Sequence, residues 1–249
     1  MQVAQLALQL YTVRDALEAD PERTLAGIAS MGYRNVELAG TAGRGAGAFR
    51  SLLDAHDLAV VGAHVGLDGL GDGFDATMDD LETLGCRYAV VPWLPPERRG
   101  GRDVGRRLGE TLNDLAERAA PRGIRFGYHN HDFEFAGAPG MRLWDGLLET
   151  VGPSVRLELD VCWVRVGGED PAALIASLAG RIGSLHLKDV DADLRTSRIP
   201  GAGVLPWREI VDAGDRAGVE WFVIEEDEPA NALESAKLGL DVIRRLATP

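Results

Sequence analysis

Residues 155–161 read Val-Arg-Leu-Glu-Leu-Asp-Val, and this stretch decides the fold. Apolar and charged residues alternate with the period of two that a β-strand imposes. Leu157, Leu159 and Val161 therefore share one face, and Arg156, Glu158 and Asp160 share the other. Working outward, similar short apolar runs recur at Gln5–Tyr11, Asn35–Leu38, Ala59–His64, Tyr88–Trp93, Ile124–Asn130, Gly183–Lys188 and Trp221–Glu225. That makes eight strands in 249 residues, about 31 residues per strand, which is the size of one βα unit. Helical period fills the gaps. Leu108, Leu112, Leu115 and Ala119 lie on one helical face, as do Leu233, Ala236, Leu240 and Ile243. Asp20-Pro21 and Asp170-Pro171 read as helix starts, and Gly32, Gly85, Gly123 and Gly218 as helix stops.

Strand alternating with helix eight times predicts a single-domain (β/α)8 TIM barrel over residues 1–249. A doubly wound sheet would want a glycine-rich phosphate turn after an early strand, and Tyr11-Thr12-Val13-Arg14 holds no glycine. In a barrel the apolar face of each strand meets the helices and the other face meets the axis. This parity turns Gln9, Tyr11, Glu37, His129, His131, Arg156, Glu158, Asp160, Ser184, His186, Lys188 and Glu225 inward. The strand ends then converge on His64, His129, His131, Asp160, His186, Lys188 and Glu225. Of five histidines only His56 falls in a helix. Active sites of such barrels form where C-terminal strand ends meet. The deeper pair Arg156 and Glu158 reads as a structural ion pair.

Composition bounds the function. Lys and Arg number 26 against 39 Asp and Glu, a net charge of −13, which argues against nucleic acid as a partner. The longest uncharged stretch, Met1–Val13, is too short and too polar to span a bilayer and lacks the basic start of a signal peptide. A soluble, cytoplasmic protein is expected. Two cysteines, Cys86 and Cys162, fit a reducing compartment.

Carboxylates and imidazoles without a thiolate form a ligand set for one divalent ion. Mn2+ is the leading choice, with Co2+, Mg2+ and Zn2+ as alternatives. Such an ion polarises a carbonyl and a neighbouring hydroxyl while a carboxylate moves a proton. Trp93 and Trp163 are placed either to stack on a ligand face or to act as a hydrophobic lid. Glu37 and His64 either bind substrate hydroxyls or form a buried pair, and Gln9 sits near the pocket floor. Gly201-Ala202-Gly203 is a weak phosphate-turn signal, with Arg195 or Arg198 beside it.

Six segments sharpen the reading: residues 8–14, 36–39, 128–135, 159–163, 186–189 and 223–227. In order they read LQLYTVR, VELA, YHNHDFEF, LDVCW, HLKD and VIEED. Together they resemble the xylose-isomerase-like sugar phosphate isomerase/epimerase family over nearly the whole chain. The resemblance implies a metal held by Glu134, Asp160, His186 and Glu225. It implies proton transfer through a cis-enediolate by Glu134 and Glu225, with His131 and Lys188 available as further acid or base. Whether Glu134 or a strand 5 histidine is the base stays open, because Glu134 lies in the loop beyond the strand. Substrate contacts are expected from Gln9, Glu37, His64, Trp93, His129 and Trp163. The leading expectation is an isomerase or epimerase of a keto-sugar or polyol. A lyase of the same superfamily, inosose-dehydratase-like or eliminating from a keto-glycoside, is the second. A non-catalytic sugar-binding subunit is the third. An abasic-site endonuclease is disfavoured by the few histidines and the acidic charge, and an amidohydrolase by a His-x-His pair on strand 5 instead of strand 1. The resemblance also implies a homo-oligomer.

Overall fold

The computed structural model describes residues 1–247. Its strands in chain order are β1 Leu6–Gln9, β2 Asn35–Leu38, β3 Ala59–His64, β4 Tyr88–Val91, β5 Arg125–His129, β6 Val155–Asp160 and β7 Ile182–Leu187. They continue with β8 Asp189–Val190, β9 Ser197–Arg198 and β10 Trp221–Ile224. Eight of them, β1 to β7 and β10, close a parallel barrel, while β8 and β9 form a small antiparallel ribbon in the loop after β7. Helices lie between successive barrel strands, the longest being Arg102–Ala119. The (β/α)8 expectation therefore holds.

Local signals act as their chemistry demands. Asp20 and Asp170 cap helices by accepting the N–H of Arg23 and Ala173. Gly32, Gly85, Gly123 and Gly218 all adopt positive φ where helices stop. β1 is shorter than its apolar run. Its chain turns at Leu10–Val13 into a 3-10 helix once the Gln9 side chain accepts the Tyr11 N–H.

Two apolar regions flank the strands. The large one packs the outward strand residues against the helices. The small one, Ala7, Val61 and Val223, plugs the barrel axis below the site. The Tyr88 hydroxyl, which donates to the Arg156 carbonyl at 3.2 Å, belongs to the same lower level.

The register slips twice, between Val36 and Glu37 against β3 and between Leu157 and Glu158 against β7. Each slip adds a residue to the neighbouring strand and falls beside a buried glutamate. The first sets Glu37 opposite Gly62, where a Cβ would collide with the Glu37 carboxylate. The second sets Glu158 opposite Ser184.

The expected Arg156–Glu158 ion pair does not form. Arg156 reaches down to the carbonyls of Gly180 and Ile182 and lies 3.6 Å from Glu220, while Glu158 points up toward the histidines. Two residues along a strand are separated by about 6.6 Å. Like parity put both side chains inside, but at different heights.

Candidate active site

Asp160 is the last residue of β6 and the N-cap of the short helix Val161–Val166. Its Oδ1 accepts the Trp163 N–H at 2.9 Å. Its Oδ2 is buried and accepts no hydrogen bond, with the Lys188 ammonium at 3.2 Å and His129 Nε2 at 3.8 Å. One residue type at a strand–helix junction thus spends one oxygen on the fold and keeps the other for the site.

His186 stands opposite on β7. Its Nδ1 lies 2.7 Å from Glu225 Oε2, and its Nε2 lies 2.6 Å from Glu37 Oε2 and 3.0 Å from Glu158 Oε1. Lys188 Nζ completes the floor, 3.1 Å from Glu225 Oε2 and 2.7 Å from Asp227 Oδ1.

Charges here balance in a dry setting. Burial raises the Asp160 carboxyl to about 6, against the lowering effect of Lys188 and His186. Burial would also raise Glu225, but the Lys188 and His186 charges hold it well below the ordinary carboxylate range. Burial opposes charge on Lys188, yet Asp160, Glu225 and Asp227 keep its ammonium well above its ordinary value.

Above this floor opens a cavity of about 640 Å³. His64, His129, His131, Lys188 and Glu225 form its polar wall, and Tyr11, Trp93, Asp227 and Glu228 stand around it. Tyr11 and Trp93 are 41% and 43% exposed, each backed by a guanidinium, Arg14 over Tyr11 and Arg99 over Trp93. Two open aromatic faces above convergent polar groups suit a sugar-like ring. No arginine lines this cavity, and its lysine is already held by three carboxylates.

His131 is a wall residue set among aromatic rings. Its Nδ1 is buried without a partner, and its ring stacks on Trp163 at 5.6 Å and on Phe133 at 5.8 Å. Burial, with His129 and Lys188 nearby, pushes its pKa down to about 2, so the imidazole is neutral. Trp163 contributes by backing His131 and Lys188, whose Nζ lies 5.5 Å from the indole, and is not on the cavity wall.

Glu134 lies elsewhere. Its Oε1 accepts the Tyr128 hydroxyl at 2.5 Å and its Oε2 accepts the His131 N–H at 2.8 Å. Tyr128 belongs to the outward face of β5, in the strand–helix core, so Glu134 anchors the loop that presents His131. In this arrangement Glu134 does not stand with Asp160, His186 and Glu225. Gln9 and Glu37 also miss the cavity wall. They are buried below it and bonded to each other at 2.9 Å. His56 sits beyond helix Ala46–Asp54, away from the cluster.

Gly201–Gly203 is no phosphate turn. The N–H groups of Gly201 and Gly203 are donated to Asp189, as are those of Val190 and Leu205 and the Trp207 indole. A buried acid has taken the donors that an anion would need.

Sequence reading missed Glu158. Parity put it inward, but its assignment to Arg156 hid its three histidine contacts. Asp227 and Asp189 were missed too, since neither lies on a predicted strand.

Two groups of donor atoms lie within 4.8 Å of one another, Asp160/His186/Glu225 and His64/His129/Glu158/His186. The first fits a divalent ion. It offers two carboxylates and an imidazole, and Asp160 Oδ2 is an orphaned buried oxygen.

A barrel with convergent carboxylates, imidazoles and a buried lysine at its C-terminal end is an enzyme architecture. A sequence profile described as xylose isomerase-like TIM barrel matches residues 25–246, and the chain belongs to that family. It is 28% identical over 272 residues to the rhizopine catabolism protein MocC of Rhizobium meliloti, covering 91% of this chain and 81% of that protein. It is 26% identical over 273 residues to an inosose dehydratase of Geobacillus kaustophilus, covering 90% and 87%. Among solved structures, a sugar phosphate isomerase/epimerase from Parabacteroides distasonis superposes with a TM-score of 0.81 at 23% identity, covering 96% of each chain. The IOLI protein with a bound zinc atom superposes with a TM-score of 0.77 at 16% identity, covering 97% of each chain.

Proposed function

We propose that this chain is a divalent-metal-dependent lyase that removes water from a keto-cyclitol or keto-sugar. The observation that carries the reading is the meeting of Asp160, His186 and Glu225 beneath one cavity, which Glu225 lines together with Lys188 and His131. Similarity to inosose dehydratases favours elimination over the isomerase or epimerase outcome that the motifs first suggest. Asp160, His186 and Glu225 hold the ion, which when bound supplies positive charge beside the substrate carbonyl. Zinc in the IOLI structure supports a divalent ion and leaves the preference for Mn2+ as a proposal.

The His131 imidazole is the proton acceptor. It is neutral and lines the cavity. The C–H bond next to the carbonyl breaks, its proton goes to His131, and its electrons form the enolate. The enolate then expels the β-hydroxyl, which takes a proton from Lys188 and leaves as water. Asp227 and Glu225 hold the ammonium in place for that transfer. Tyr11 and Trp93 stack on the ring, and the acid-rich wall without a free cation selects an uncharged substrate over a phosphorylated one.

The test is product analysis in D2O with a keto-inositol after loading with Mn2+, Co2+ or Zn2+. An unsaturated product with release of water is expected. Deuterium uptake into unaltered or epimerised substrate, without elimination, would return the assignment to an isomerase.

A further inference from the structure

Along the wall of the cavity and beneath it lies a tier of side chains that the proposed proton transfers do not use. His64 Nε2, His129 Nδ1 and His186 Nε2 converge on one oxygen, Glu158 Oε1, at 2.8, 3.2 and 3.0 Å. Ser184 Oγ donates to the other oxygen, Oε2, at 2.7 Å. Glu37 Oε2 also reaches His186 Nε2, at 2.6 Å. Glu158, His186 and Ser184 are at most 1% exposed, and no lysine or arginine pairs with Glu158 among the described residues.

A carboxylate only accepts, so each ring nitrogen that faces it must be an N–H donor. In a neutral imidazole the other nitrogen is then the lone pair. We propose that Glu158 is a positioning residue that dictates which nitrogen each of three histidines offers to the site. His186 has carboxylates at both nitrogens and without an ion carries both protons; an ion at Asp160 and Glu225 would take the place of the Nδ1 proton while Nε2–H stays on Glu158. His129 presents Nε2 upward, and His64 presents Nδ1. Glu37 shares the work at His186.

The fold is arranged around this hub. The register slip beside Glu158 brings Ser184 to it in place of Gly183, supplying a hydroxyl donor for the remaining oxygen. His129 Nε2, the nitrogen left free, lies 3.8 Å from Asp160 Oδ2, on the ligand side of its ring. Outer hydrogen bonds of this kind commonly fix the tautomer of a metal-binding histidine and raise its affinity. The inference rests on the metal reading above.

The experiment uses 15N-labelled full chain and Zn2+ or Co2+ as probe. Two-bond 1H–15N spectra of the Zn2+-loaded wild type are expected to show His186 and His64 protonated at Nε2 and His129 at Nδ1. Glu158→Gln, whose amide donates as well as accepts, is expected to scramble these tautomers. It should also weaken Co2+ binding about 10- to 100-fold in chelator competition and alter the cobalt visible spectrum. Asp160→Ala is the control that abolishes binding. If Glu158→Gln does not fold, Ser184→Ala keeps the charge and is expected to weaken Co2+ binding by a smaller factor. Wild-type metal binding with the opposite tautomers overturns the inference alone. So does unchanged Co2+ affinity in the folded variant. Failure of the wild type to take up either metal overturns the metal reading and this inference with it.

Discussion

Asp160 and Asp189 are both fully buried acids at the ends of adjacent barrel strands, and they have opposite fates. Asp189 follows β7 by two residues and takes five N–H donors, four from backbone and one from Trp207. Those bonds tie residues 189–207 into a knot around β8 and β9. Asp160 receives the Trp163 N–H on one oxygen and leaves the other without a donor. A buried carboxylate with every lone pair answered stabilises structure, whereas one left partly unanswered is available to a ligand. Burial alone does not distinguish them. The direction of the neighbouring donors does.

The largest effect expected from this contrast is on Asp160. Asp160→Ala should lose metal and about a thousandfold in activity. Its melting temperature should stay within a few degrees of wild type, because burial already disfavours the charged form of this group. Metal analysis and thermal melts check both halves together, and a large loss of stability with metal retained would break the comparison.

Asp189→Ala should behave in the reverse way. It strands five buried donors, costs about 3 kcal/mol or more, and lowers the melting temperature by roughly 6–12 °C. Metal content per folded molecule should be unchanged.

Lys188→Met removes a charge from the site while keeping its stem. Activity should fall about a hundredfold as the leaving group loses its proton donor. Metal uptake should persist, since Asp160 and Glu225 are freed from their ammonium partner. Loss of metal along with activity would assign Lys188 to the binding of the ion.

The smallest effect concerns Glu134. Burial raises its carboxyl from the ordinary 4.5 to about 7, against the lowering hydrogen bonds from Tyr128 and His131. The folded state then holds a proton that the unfolded chain has released, so this group makes stability fall as pH rises from about 4.5 to 7. Glu134→Gln should flatten that part of the profile. Urea unfolding at pH 5 and pH 7.5 measures it, and an unchanged slope would show that Glu134 is ionised throughout.

Residues 155–161 carried much of this in one line of sequence. Alternation told which side chains face the axis, and it did so for Glu158, Asp160, His186 and Lys188 alike, because a strand offers only two faces. Helix starts at Asp20 and Asp170 were equally legible, since a side chain bonding its own backbone three residues on needs no tertiary partner. Two kinds of information were missing. Height along the axis separated Arg156 from Glu158, and it depends on which end of the barrel each long side chain reaches. The loop after β5 carried Glu134 to the outer face of its own strand, a path that no periodicity records.

The chain by itself therefore determined the barrel, the inward set of residues and the end at which the chemistry gathers. These follow from local periods, caps and the burial of apolar faces. Only the tertiary structure decided which acids are spent. Asp189, Glu134 and Glu158 each meet donors contributed by residues that the closing of the barrel and the folding of its loops bring together. Hydrogen bonding acts over about 3 Å, and contacts at that range exist only once the chain has closed.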